Sequence, residues 1–179
     1  NITSSSGIAE RRPLWSPSGD KIAWFSDENR KNYQLVISNQ DGTKIINKID
    51  IGESKLGWNP SWSPDGNHIA FVDDDVRLRV VDLKTKTIKT IDVGGINIER
   101  GSIKMKWSPD SNWIAYAKTG DNMLRQVYLW SIKLNTSRAI TDSFADSFSP
   151  AWDLNKKQLY FLASTNIALG SGWANTSSM

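Results

Sequence analysis

The chain has 179 residues, 39% of them hydrophobic and 23% charged, with a formal net charge of +3, which is ordinary for one globular domain with a sizeable core. Its 22 basic and 19 acidic side chains are interspersed, whereas a nucleic-acid-binding face needs concentrated positive charge. The absence of cysteine excludes disulfides and thiolate-bound zinc, no run of about 18 apolar residues offers a membrane span, and no signal-peptide pattern stands at Asn1.

In chain order, Asn1-Ile2-Thr3 aligns with Ala139-Ile140-Thr141 and is expected to be the last strand of a preceding unit. Pro13-Leu14-Trp15 follows, opening the phrase Trp-Ser-Pro-Ser-Gly-Asp at 15–20. The phrase returns as Trp-Ser-Pro-Asp-Gly-Asn (62–67), Trp-Ser-Pro-Asp-Ser-Asn (107–112) and a diverged Trp-Asp-Leu-Asn-Lys-Lys (152–157). The tryptophans stand 47, 45 and 45 residues apart. A repeat of about 40–50 residues containing several short strands indicates a β-propeller, whose blades bury their faces by stacking on their neighbours.

Each unit divides into four strands. A short tryptophan-bearing strand and a tight turn lead to an almost wholly apolar second strand: Ile22 to Phe25, Ile69 to Val72, Ile114 to Ala117 and Leu159 to Leu162. Such runs suit strands covered on both faces. Third strands are expected at Gln34 to Ile37, Leu78 to Val81 and Gln126 to Trp130, each running into a polar hairpin. Asp41-Gly42 gives the strongest hairpin signal. The fourth strands, Lys44 to Asn47, Thr87 to Asp92 and Arg138 to Thr141, are the most polar, and Lys84, Lys86 and Lys89 would discourage edge pairing at an outer rim. The expected architecture is all-β, a propeller fragment of about three and a half four-stranded blades within 1–179. The blades lie near 13–47, 60–92 and 105–141, with an incomplete one at 150–162 and a glycine-rich excursion at 163–175.

Few residues suggest chemistry. The repeating tryptophans belong between blades rather than on a ligand platform. His68, the sole histidine, follows a turn where side chains are usually solvated, and no Gly-x-Ser-x-Gly elbow accompanies it. Asp73-Asp74-Asp75 fits an exposed hairpin loop without EF-hand spacing. Asn1-Ile2-Thr3, Asn135-Thr136-Ser137 and Asn175-Thr176-Ser177 match the glycosylation pattern and are taken as chance. No catalytic, cofactor-binding or metal-binding set is expected. Arg11, Arg12, Glu99 and Arg100 lie in connections entering a blade, at one end of the central channel, and are the candidate channel- or ligand-facing residues together with Trp173 of the excursion.

The Trp-Ser-Pro-Asp-Gly-x-x-Ile-Ala-Phe phrase resembles the repeat shared by the periplasmic Tol-system propeller, tricorn-type peptidases and prolyl-oligopeptidase relatives. Gly7-Ile8-Ala9-Glu10-Arg11-Arg12-Pro13-Leu14-Trp15-Ser16-Pro17, with Ala23 to Glu28, is similar to the start of a blade in the second, seven-bladed propeller of bacterial tricorn protease homologues. Phe161 to Asn166, followed by Leu169 to Trp173, is similar to the glycine-rich excursion there. The resemblance implies a parent serine peptidase acting on oligopeptides, with catalytic residues in later domains and propellers that admit or release peptides. This segment would then be a scaffold and peptide-gating channel, not itself an enzyme. The alternative is a Tol-type propeller that binds a partner protein. Expected partners are peptides through the parent, other domains of the same chain, and a second copy through exposed blade faces.

Overall fold

The computed structural model describes residues 6–29, 32–53, 56–155 and 158–164. They form three four-stranded antiparallel sheets and one two-stranded sheet, each in sequential strand order. Sheet 1 contains β1 (Glu10–Trp15), β2 (Lys21–Ser26), β3 (Gln34–Asn39) and β4 (Ile45–Asp50). Sheet 2 contains β5 (Trp58–Trp62), β6 (His68–Val72), β7 (Arg77–Asp82) and β8 (Ile88–Val93). Sheet 3 contains β9 (Lys106–Trp107), β10 (Trp113–Thr119), β11 (Arg125–Ser131) and β12 (Thr136–Ala139). Sheet 4 pairs β13 (Asp146–Trp152) with β14 (Leu159–Ser164). First strands neighbour one another along the series, β1 on β5, β5 on β9 and β9 on β13. That is the stacking of an all-β propeller.

The apolar second strands show why the sheets stack. Alternation sends adjacent residues of β6 to opposite faces. Ile69 and Phe71 enter a core with Ala23, Phe25, Leu35 and Ile37 of sheet 1, while Ala70 and Val72 enter one with Ile103, Met105, Ile114 and Tyr116 of the sheet 3 unit. Phe25 and Phe71 meet edge to face at 5.2 Å across the first boundary.

The repeated phrase is a turn clip. The hydroxyl of Ser63 accepts the His68 amide at 2.9 Å and donates to Asp65 at 2.6 Å. Ser108 does the same with Trp113 and Asp110, and Ser16 with Lys21 and Asp20. All three serines are buried, so the hydroxyl supplies turn hydrogen bonds that water cannot. Gly19 and Gly66 hold φ of 72° and 75°, a region that favours glycine. The diverged fourth phrase keeps the closure, since the Asp153 amide donates to the Gln158 carbonyl at 3.0 Å.

Several expectations need correction. First strands begin earlier, at Glu10, Trp58 and Asp146, and a β-bulge interrupts each of the three. The third and fourth strands of sheet 1 run to Asn39 and Asp50, and β12 stops at Ala139, beyond which the Val127 amide donates to the Thr141 hydroxyl at 3.0 Å. A 3-10 turn, Asn97–Gly101, precedes sheet 3. Among the repeat tryptophans, Trp107 is buried, Trp62 and Trp152 are half-buried, and Trp15 is 55% exposed. No earlier sheet stands against Trp15 among the described residues. Asn1 to Thr3, Asn175 to Ser177 and the excursion beyond Ser164, including Trp173, lie outside the described residues.

Candidate functional site

Antiparallel order places the β2–β3 type loops and the sheet-to-sheet connections at one end of every sheet, and the Trp-Ser-Pro turns at the other. At the connection end the bulges decide where side chains point. Arg12, Asn59 and Ser149 stand at equivalent positions with φ of 57°, 46° and 53°, each just before a proline. A bulge turns its side chain out of the ladder, and here it sends two of them to the next sheet. Asn59 donates to the carbonyls of Gly101 and Ile103 at 2.8 and 3.0 Å. Arg12 instead lies over the Trp58 ring, 5.2 Å from its centroid.

Trp58 is the centre of an open cavity of about 770 Å³ between the first two sheets. The Arg100 guanidinium lies 5.8 Å from the same ring centroid, and Arg11 lines the same cavity. The indole N–H points to Asp74 at 3.4 Å. Tyr33, Leu56, Glu53, Asp74 and Asp75 complete the lining. The lining therefore gathers guanidiniums and carboxylates around one indole, with Asp74 at its N–H.

The acidic loop is partly consumed from below. Asp73 is fully buried and accepts from Arg77 Nε at 2.7 Å and Arg79 Nη1 at 3.2 Å. It also accepts the amides of Asp75 and Arg77 at 3.1 and 3.0 Å. This corrects the expectation that all three aspartates are simply exposed: Asp73 clamps its loop by satisfying donors that would otherwise be buried bare. The Asp73 hydrogen bond holds Arg77 above its ordinary pKa against the opposing effect of burial. Arg77 also pairs with Asp75 at 3.0 Å. By contrast, Arg11, Arg12 and Arg100 make no ion pair among the described residues.

Sequence reasoning brought forward Arg11, Arg12, Glu99 and Arg100 as one group, and the structure divides them. Arg11, Arg12 and Arg100 are exposed around Trp58. Glu99 is buried and accepts the amides of Gly95, Ile96 and Thr119 at 3.0, 3.4 and 2.8 Å, tying the connection to β10. Trp58 itself was missed. Its signal was available, because it stands four residues before Trp62, where Arg11 stands before Trp15.

The remaining candidates are structural. His68 is half-buried, not solvated, because it packs on Trp107 of the next unit at 5.9 Å. Among the described residues no group of three or more His, Cys, Asp or Glu is placed to hold a metal, and no helix is long and apolar enough to cross a membrane. A second cavity of about 520 Å³ opens between sheets 3 and 4, lined by Pro109, Trp113, Leu129, Trp152 and Leu154 with Ser108, Asp110 and Asn155.

Stacked four-stranded sheets with their first strands side by side define the class, a β-propeller protein. No family model matches the chain. Over 162 residues, 90% of its length, it is 28% identical to a tricorn protease homolog of Saccharolobus solfataricus, of which it spans 14%. The crystal structure of the tricorn protease superposes with a TM-score of 0.70 at 19% identity, covering 86% of this chain and 15% of that one. TolB from Acinetobacter baumannii gives 0.59 at 18%, covering 93% and 40%. An oligogalacturonate lyase from Vibrio parahaemolyticus gives 0.67 at 14%, covering 90% and 48%. These three structural likenesses establish the fold alone.

Proposed function

We propose that this chain is a non-catalytic propeller segment of a tricorn-like serine peptidase, serving as scaffold and as part of a channel that gates oligopeptides. The observation that carries the reading is the match to the tricorn protease homolog along nearly the whole repeat. The connection-end cavity agrees with it, since it combines an aromatic platform with charges of both signs, which suits peptides better than a uniform surface. The chain spans 14% of that relative, so the apolar side chains left open at the two ends of the series, Trp15 and Tyr160 to Leu162, are taken to be covered by further sheets of the parent. Native mass spectrometry of the isolated chain as a dimer would favour a second copy instead.

The test is hydrolysis by the full parent protein and by the 179-residue chain. The parent is expected to cleave short peptides and spare folded proteins, while the chain alone cleaves neither. Hydrolysis by the chain alone would overturn the reading. A parent inert on every peptide but holding a partner protein would favour the Tol-type alternative, to which the TolB likeness lends the fold.

A further inference from the structure

We propose that Arg11, Arg12 and Arg100, gathered around Trp58, hold a carboxylate of the bound peptide, its C-terminal group or an acidic side chain. This rests on the peptide-handling reading above and adds the chemical group that the cavity recognises.

Charge accounting carries the argument. Arg77, Arg79 and Arg125 each have a carboxylate partner, whereas Arg11 and Arg100 of the cavity lining and Arg12 over the Trp58 ring have none among the described residues. The guanidiniums of Arg12 and Arg100 lie 5.2 and 5.8 Å from one ring centroid, hence no more than about 11 Å apart, a span over which salt at about 0.1 M, with a Debye length of about 10 Å, screens their repulsion only in part. Like charges this close repel unless an anion sits between them. The indole holds both by cation–π attraction, so fewer rotamers are lost when a ligand binds. A planar guanidinium also matches a carboxylate through two parallel hydrogen bonds.

The acidic part of the cavity selects among anions. Glu53, Asp74 and Asp75 line it, and they would repel a polyanion such as a nucleic-acid strand while leaving a single carboxylate free to reach the arginines. They also favour a ligand that carries positive charge farther along, as peptides often do. The bulge at Arg12 contributes aim, because its φ of 57° directs the side chain over Trp58 rather than along β1.

The test is isothermal titration of the protein with four probes. They are an N-acetylated pentapeptide with a free C-terminus, its C-terminal amide, the same amide with a central glutamate, and glutarate alone. The variants are Arg12→Gln, Arg100→Gln and their double, with Lys104→Gln as an exposed control and circular dichroism to verify folding. The free-acid or glutamate peptide is expected to bind about tenfold more tightly than the neutral amide, and the double variant to erase that preference. Whichever acidic peptide gains identifies the source of the carboxylate. Equal binding of acid and neutral amide, or a preference that survives in the double variant, overturns the proposal while leaving peptide handling intact. Glutarate binding that needs the arginines, with no peptide bound, upholds the carboxylate site and overturns peptide handling. No binding by any probe overturns both.

Discussion

The boundary between sheets 2 and 3 and the boundary between sheets 3 and 4 use the same repeat, yet they are built differently. Between sheets 2 and 3 there are cross-links at every radius. Innermost, Asn59 caps two carbonyls, and Trp107 Nε1 donates to the Ser61 carbonyl at 3.2 Å. Outermost, the Tyr116 hydroxyl donates to Asp92 at 2.6 Å, and Ser137 donates to the Ile91 carbonyl at 3.0 Å. At the turn end the Asp65 amide donates to Ser111 Oγ at 3.0 Å. Between sheets 3 and 4 one indole bond repeats, Trp152 Nε1 to the Lys106 carbonyl at 2.9 Å. Arg125 grips Asp146 with two hydrogen bonds of 2.9 and 2.6 Å and lies 4.1 Å from the Phe148 ring centroid. Where His68 fills the turn end between sheets 2 and 3, the boundary between sheets 3 and 4 opens into the cavity lined by Trp113 and Trp152. The apolar repeat thus sets how sheets stack, and polar contacts individual to each boundary set how firmly.

The largest expected effect lies in an apolar core outside both of these boundaries, the one between sheets 1 and 2. Phe71→Ala removes a fully buried ring packed on Phe25 and should destabilise by about 3–5 kcal/mol in urea unfolding. Phe144→Ala, at a side chain 82% exposed, should stay within about 0.5 kcal/mol. Gly57→Ala approaches Phe71→Ala in severity, because a Cβ there would lie 2.1 Å from the Phe25 ring. A Phe71→Ala cost near zero would mean that the sheets do not stack as described.

Next come the polar links of the tighter boundary. Tyr116 is fully buried; its burial and its bond to Asp92 raise its pKa, so the hydroxyl stays a donor. Asp92 also accepts from Lys118 at 2.6 Å. Tyr116→Phe should cost about 1.5–3 kcal/mol, the range for a hydrogen bond to a charged acceptor. A loss below about 0.5 kcal/mol would show that Lys118 alone satisfies Asp92, and the contrast between the boundaries would weaken.

What the sequence disclosed follows this division. The period, the apolar second strands and the Ser-Pro turns are local or repeated, so alternation and spacing reveal them. The all-β propeller was legible for that reason. Trp15 and Trp107 share one place in the repeat, and their exposure differs because burial depends on the neighbouring sheet rather than on the phrase. Asp73 and Glu99 escaped for another reason: their carboxylates close on amides and guanidiniums brought together only by the connections. At the site, Arg11, Arg12 and Arg100 were visible as charges, but their convergence on Trp58 needed the bulge at Arg12, which a pattern of residue types does not announce.

The looser boundary should respond to pH. The Arg125 hydrogen bond, foremost, holds Asp146 below the usual carboxylate range against a smaller opposing effect of burial. A carboxylate with a depressed folded-state pKa stabilises above its unfolded value near about 3.9, and that contribution fades as pH falls through the folded value. Asp146→Asn should therefore cost about 1 kcal/mol near neutrality, and the gap to the unsubstituted chain should close between about pH 5 and pH 2. A gap that stays constant over that window would remove the ion pair from the account of sheet 4.

The smallest effect gives the sharpest comparison, because it tests two opposing terms at one residue. Ser111 has a φ of 59° where the first two phrases carry glycine, and its Oγ accepts the Asp65 amide across the boundary. Holding a non-glycine residue there costs about 1 kcal/mol, and the hydrogen bond returns a similar amount. Ser111→Gly gives up both together and should change stability by less than about 0.5 kcal/mol. Ser111→Ala keeps the backbone cost and loses the bond, so it should destabilise by about 1 kcal/mol. A melting temperature unchanged by Ser111→Ala would mean that the Asp65 amide is as well served by water. In that case the turn end of this boundary is no tighter than its open counterpart between sheets 3 and 4.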